Sequence, residues 1–246
     1  MKLVRWISAM IVKVLARLLL RVKIEGVENI PRTGSVILAT NHVNFIDAPL
    51  LYVLLPREAT ALTKVETWDN PLLGWVATSW HAIPIHRGEL DLQAFRSARN
   101  VLKQGKVLGI ALEGTRSHHG HLLRGRPGAV LLALHAPEAL IVPMAIYGHE
   151  HYEQDWKRLR RTPVNIVYGQ GFHLKPVKGQ VTHEIRQKIT DEIMMQIAAL
   201  LPQQNRGVYS DLASATEDYL EFPPGATSNV RRAMERSAMP GEGKSA

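Results

Sequence analysis

Cysteine is absent from the 246 residues, which excludes a disulfide scaffold, a thiolate nucleophile, an iron–sulfur cluster and a zinc ribbon. That absence fits a reducing compartment. Aromatic residues are scarce, at 6%. The basic residues are not interleaved with them and no recognised binding motif occurs, so nucleic acid is not expected as a partner. Acidic residues are the minority charge, 22 against 30 Lys and Arg, leaving a formal +8. That balance implies an anionic partner, and anionic lipid and a phosphorylated substrate both qualify. The apolar share is ample at 46%, which rules out wholesale disorder. The length suits one large α/β domain, or one domain plus an appendage.

The N-terminal stretch, residues 1–22, lacks Pro and Gly and is rich in Ala, Leu and Met, so it favours helix. Lys13, Arg17 and Arg21 recur every fourth residue and stack along one face. Ile7, Ile11, Val14, Leu15 and Leu18 fall on the other side. A transmembrane span needs about 20 apolar residues with few charges, and these cations count against one. A signal peptide fits poorly as well, because charges break the apolar run and no small-residue cleavage site follows. Two readings fit what remains. The segment is an amphipathic helix lying in an anionic membrane interface, or it docks on the protein's own core with its charges in water.

Beyond it, strands alternate with helices. Strands are expected at Val22–Val27, Ser35–Thr40, Ala59–Lys64, Ala82–Ile85, Val107–Leu112, Leu140–Tyr147 and Val164–Tyr168. Helices are expected at Asp47–Leu55, Pro71–Ser79, Glu89–Gln104, Pro127–Leu134 and Thr182–Leu201. The pattern predicts a single α/β domain over residues 23–221, with a mixed, mostly parallel central sheet flanked by helices. Pro143 suits an edge or the start of a strand rather than a central ladder. After Phe222 the composition turns to Pro, Gly and small polar residues, and a disordered tail is expected over 222–246.

Chemistry-bearing residues gather at expected strand ends, where α/β sheets place ligands. In Asn41-His42-Val43-Asn44-Phe45-Ile46-Asp47, His42 can accept a proton from a hydroxyl, and Asp47 can fold back to fix its tautomer. Equally, Asp47 can cap a helix and His42 be an ordinary loop histidine. Glu113-Gly114-Thr115-Arg116-Ser117 follows an apolar strand and offers a close-approach glycine, hydroxyls and a forked guanidinium suited to phosphate. Ile83-Pro84-Ile85-His86-Arg87-Gly88 ends another strand on an arginine, and Arg124-Gly125-Arg126-Pro127 leads into a helix.

These motifs, closed by Val142-Pro143-Met144-Ala145-Ile146, resemble in order and spacing the glycerolipid acyltransferases. The likeness is greatest to the bacterial 1-acylglycerol-3-phosphate acyltransferases and covers about residues 23–205. The resemblance implies a general base, His42, oriented by Asp47, which activates a lysophospholipid hydroxyl for attack on an acyl thioester. The donor is acyl-CoA or acyl carrier protein, and the favoured acceptor is 1-acylglycerol-3-phosphate, giving phosphatidic acid. Glu113, Gly114, Thr115 and Arg116 correspond to the acceptor-binding motif, with Arg87 and Arg126 as further phosphate contacts. No metal or bound cofactor is implied, and the expected location is the cytoplasmic face of the cell membrane, peripheral or monotopic. Asn44 stands where the family often has serine, Ala111-Leu112 where it has Phe-Pro, and His86 just before the motif arginine. Another lysolipid or hydroxylated lipid as acceptor, or a non-catalytic lipid-binding role, are the rival functions.

His118, His119 and His121 read as a solvated loop rather than a metal site, since no acidic cluster accompanies them. Trp68, Trp75 and Trp80 suit an acyl tunnel, a membrane contact or core packing. Lys157, Arg158, Arg160 and Arg161 read as a solvated face or a headgroup contact.

Overall fold

The computed structural model describes residues 2–86 and 91–238. Seven strands form its central sheet: β1 (Leu20–Glu25), β2 (Val36–Thr40), β3 (Ala59–Lys64), β4 (Ile83–Ile85), β5 (Val107–Ala111), β6 (Leu140–Tyr147) and β7 (Thr162–Tyr168). Their spatial order is β1-β7-β6-β2-β5-β3-β4. All neighbours run parallel except β6 and β7. β2 is central and buried along its whole length, as expected of a strand covered on both faces. Its alternation splits the core. Val36 and Leu38 face one apolar cluster with β6 and β7, while Ile37 and Ala39 face the other.

Helices α1 (Lys2–Leu19) and α2 (Asp47–Leu54) belong to the first side. Helices α4 (Leu92–Lys103), α5 (Val130–Leu134), α7 (His183–Ala198) and α8 (Asn229–Ala238) cover the second. Helix α3 (Pro71–Ser79) sits against α1, and α6 (Tyr152–Lys157) precedes β7. Gly109 of β5 lets α2 approach, because a Cβ there would lie 2.9 Å from Leu51. Caps fix the helix starts: Asp91 accepts from the Ala94 N–H at α4, and Thr182 from the Ile185 N–H at α7. The expected start of α4 at Glu89 lies outside the described residues.

Three expectations need correction. Pro143 lies within β6, between β2 and β7, not at an edge. Its carbonyl accepts from Gly169 N–H, just past the end of β7, so its missing N–H faces the point where that ladder breaks. Pairing resumes only at Ile141 with Phe172, across a bulge that tolerates the lost donor. Residues 127–129 are a turn, and α5 begins at Val130. The segment expected to be a disordered tail is folded as far as Ala238. A second, two-stranded ladder joins β8 (His173–Leu174) to β9 (Leu220–Glu221), and α8 buries Val230 and Ala233. Asn229 ties that helix down, accepting from the Gln170 N–H and donating to the Gln170 carbonyl and the Gln196 side chain.

Helix α1 leaves most of its large apolar side chains outside the core. Ser8, Ala16 and Leu19 face the body, and Ser8 Oγ accepts from the Trp80 indole at 2.7 Å. The larger Leu3, Trp6, Ile7, Met10, Ile11, Val14, Leu15 and Leu18 are exposed, Trp6 at 61% and Leu18 at 64%. Among the described residues no helix is long and apolar enough to cross a membrane.

Candidate active site

β2 and β6 run parallel, so their carboxyl ends lie side by side, and the chain after each carries a histidine. Asn41, next after β2, locks the two ends together, donating to the Ile146 carbonyl and accepting its N–H, both at 2.8 Å. The following loop folds back on itself around Asp47, the first residue of α2. Asp47 Oδ2 accepts from the Val43 N–H at 2.7 Å and the Asn44 N–H at 3.1 Å, and lies 2.6 Å from His42 Nδ1. The N-cap position of α2 belongs to Ile46, so the carboxylate holds the histidine loop rather than capping its helix.

Asp47 is almost wholly buried. Burial alone would raise its pKa, but hydrogen bonds with His149 and His42 overcome this and bring it down to about 2. The carboxylate is therefore charged at neutral pH. An ionised acceptor fixes the proton of His42 on Nδ1 and leaves the Nε2 lone pair facing away. Arg116 Nε points at that nitrogen from 3.4 Å.

The loop after β5 is stitched against the same end of the sheet. Ser117 N–H donates to the His42 carbonyl at 2.8 Å, and His118 N–H to the Val43 carbonyl at 3.0 Å. Gly114, at φ +67°, makes the turn that allows this, and its Cα lies against the aliphatic stem of Arg126. Glu113 is buried, with Oε1 3.4 Å from the His42 N–H and Oε2 without a partner. Burial pushes its pKa up to about 8, so the acid is protonated at neutral pH. Thr115 is half-buried.

The structure thus brings together His42, Asp47, Glu113, Gly114, Thr115 and Arg116, with Arg126 beside them. Arg87 lies outside the described residues. A cavity of about 250 Å3 runs beside Gly114 and Arg126, between the sheet, α4 and α5, lined mainly by Leu62, Ile85, Phe95, Ile110, Leu131 and Leu132. The tryptophans divide. Trp80 is core, Trp68 donates to Thr78 Oγ1 at 3.0 Å, and Trp75 is exposed; none lines that cavity. Arg161 is structural, with its guanidinium on the Leu20 carbonyl. His119 and His121 pack against each other, and among the described residues no group of three or more His, Cys, Asp or Glu side chains is arranged so that it could hold a metal ion.

One residue of the site escaped the sequence reading. His149, just after β6, is completely buried and its Nε2 lies 2.5 Å from Asp47 Oδ1. The rule that picked out His42, a polar residue at the carboxyl end of a core strand, applies equally to β6.

A profile of the family described as Acyltransferase matches residues 21–147, just over half of the chain. The chain belongs to the acyltransferase family. It is 27% identical over 153 residues to the 1-acyl-sn-glycerol-3-phosphate acyltransferase of Bacillus subtilis, covering 62% of this chain and 74% of that one. It is 34% identical to the protein of the same name from Limnanthes douglasii, covering 60% of this chain but only 53% of the relative. The fold is shared with the crystal structure of the 1-acyl-sn-glycerophosphate (LPA) acyltransferase PlsC from Thermotoga maritima. The TM-score is 0.58 at 24% identity, over 77% of this chain and 76% of that one.

Proposed function

We propose that this acyltransferase moves a fatty acyl group from acyl-CoA or acyl carrier protein to the free hydroxyl of 1-acylglycerol-3-phosphate, giving phosphatidic acid. The observation that carries the reading is His42, held through Nδ1 by a charged, buried Asp47 with Nε2 turned outward beside Arg116. In the forward step Nε2 takes the hydroxyl proton as the oxygen attacks the thioester carbonyl carbon. The carbon–sulfur bond then breaks, and the departing thiolate recovers the proton from His42. Asp47 stabilises the imidazolium in between. A thioester is already activated, so proton transfer, worth typically ~10²–10⁴-fold, is the main task of the dyad.

Arg116 and Arg126, with Arg87, supply forked cations for the acceptor's phosphate. Glu113 is a support for the His42 backbone in this scheme, and Gly114 and Thr115 shape the phosphate loop. The apolar cavity beside Gly114 and Arg126 suits the fatty chain of the donor. The exposed apolar residues of α1, continued by Leu72, Leu73 and Trp75 of α3, suit a protein lying in an anionic membrane interface, on the cytoplasmic side where the thioester donors are made.

The test is acyl transfer in vesicles from each donor to lysophosphatidate, lysophosphatidylglycerol and a neutral monoacylglycerol. A strong preference for lysophosphatidate is expected. Preference for another acceptor would keep the chemistry and replace the substrate; silence with both donors would favour a lipid-binding role. For the membrane face, the triple variant Trp6→Ser, Ile11→Ser, Leu18→Ser should bind anionic vesicles at least about tenfold more weakly, since each buried side chain contributes roughly 1.5–3 kcal/mol. Unchanged binding would place the anchor elsewhere.

A further inference from the structure

We infer that His149 is a positioning residue for the His42–Asp47 dyad, a hydrogen-bond donor that locks the carboxylate in the orientation His42 needs. The inference rests on His42 acting as the base, as proposed above, and deepens that reading.

Asp47 divides its two oxygens. Oδ2 serves His42 and two backbone N–H groups of the loop, while Oδ1 has His149 Nε2. Without the second contact the carboxylate could rotate about its Cβ–Cγ bond and trade one oxygen for the other beneath His42. With it, rotation breaks a 2.5 Å bond between two buried side chains. The proton arrangement follows from the partners. An ionised carboxylate only accepts, so Nε2 of His149 carries the hydrogen. Its Nδ1 is buried and, among the described residues, has no hydrogen-bond partner. The ring therefore donates through Nε2 in one fixed direction.

The backbone is held as firmly as the ring. Asn44 Nδ2 donates to the His149 carbonyl at 3.0 Å, while Asn44 Oδ1 accepts from Ile46 N–H. Asn44, which replaces the family's frequent serine, thus has an amide long enough to hook the histidine loop to the chain after β6. His149 and Asn44 work as one unit that ties the dyad to β6. Among the described residues, the other charged and titratable groups facing the dyad are Glu113 and Arg116, both from the loop after β5.

A donor on Oδ1 also draws charge away from the oxygen that faces His42. Its removal concentrates the charge on Oδ2 and strengthens the hold on the imidazolium. The measurement is the dependence of kcat and KM on pH for the wild type, His149→Phe and His149→Gln, with thermal melting as the control for folding. In His149→Phe, kcat should fall on the order of tenfold or more, and its acid limb should move to higher pH by roughly half a unit or more. KM should stay near its original value. Gln retains an amide donor and should restore most of kcat.

A folded His149→Phe protein whose kcat profile superimposes on the wild type would overturn the inference. A loss confined to KM or to melting temperature would do the same. If His149→Phe does not fold, nitrogen-15 histidine NMR of the wild type decides. A proton should sit on Nε2, and a ring whose Nε2 carries no proton overturns the inference. A wild type that transfers no acyl group sinks the function itself, which is a different outcome from transfer with an unmoved profile.

Discussion

The chain contains two histidine–aspartate pairs with the same spacing of five and nearly the same geometry. His42 Nδ1 lies 2.6 Å from Asp47 Oδ2, and His86 Nδ1 lies 2.9 Å from Asp91 Oδ2. Each follows a parallel strand and each aspartate stands at a helix start. Their surroundings differ. His42 is mostly covered and Asp47 is buried with a second histidine on its far oxygen. His86 is 61% exposed, and Asp91 spends its other oxygen on the Ala94 N–H at the start of α4. Both carboxyls are held below their ordinary range. For Asp91 the cause is the backbone N–H groups of Ala94 and His86 and then the His86 ring. Asp47 instead keeps its charge against strong burial, through its two imidazoles. The two pairs thus share spacing and hydrogen-bond length and differ in burial and in what holds the far carboxylate oxygen. Under the proposed mechanism that difference is what sets His42 and Asp47 apart.

The sharpest way to break this contrast is to neutralise each aspartate in turn. Asp47→Asn should cost ~10³–10⁴-fold in kcat, because an amide no longer enforces the tautomer that leaves Nε2 unprotonated. Asp91→Asn should leave kcat within about tenfold of the wild type and lower thermal stability slightly, because Asn is nearly as good a cap as Asp. Equal losses in kcat would mean that the second pair is part of the chemistry. Acid titration of stability extends the contrast. The native pKa of Asp47 is depressed from 3.8 to about 2. Its contribution is therefore complete above 3.8 and lost as the pH falls towards about 2, and Asp47→Asn should flatten that region of a denaturation series.

Glu113 sets the opposite sign. Its native pKa is raised from 4.5 to about 8, so the unfolded chain releases the proton first. Stability should fall as pH rises from 4.5 to about 8. Glu113→Gln, which imitates the protonated acid, should remove that decline, as read from denaturation midpoints across the interval. A decline that persists in Glu113→Gln would mean that the carboxyl is ionised in the native site and that another group is responsible.

Much of the fold was legible because its signals are local. Alternation of apolar strands with helices located most elements to within a few residues. The motif loops were legible too, because polar residues directly after apolar strands carry their own signal. What the sequence concealed was set by contacts between distant segments. Pro143 looked unsuited to a central strand, since nothing local says that its partner strand breaks at Gly169. The 222–238 segment looked unstructured because its order comes from Asn229 bonding to Gln170 and Gln196. The amphipathicity of α1 was readable but its direction was not. The body accepts Ser8, Ala16 and Leu19, and most of its large apolar residues are left outside. His149 was hidden for the same reason: its partner lies 102 positions away.

The central claim is that one histidine, His42, carries the proton while its twin in spacing does not. The direct measurement is thiol release from an acyl thioester with lysophosphatidate as acceptor, comparing His42→Ala with His86→Ala, both confirmed folded. His42→Ala should lose ~10²–10⁴-fold in kcat, while His86→Ala stays within about tenfold of the wild type. Full activity in His42→Ala, or a loss in His86→Ala as large as that expected for His42, would contradict the account.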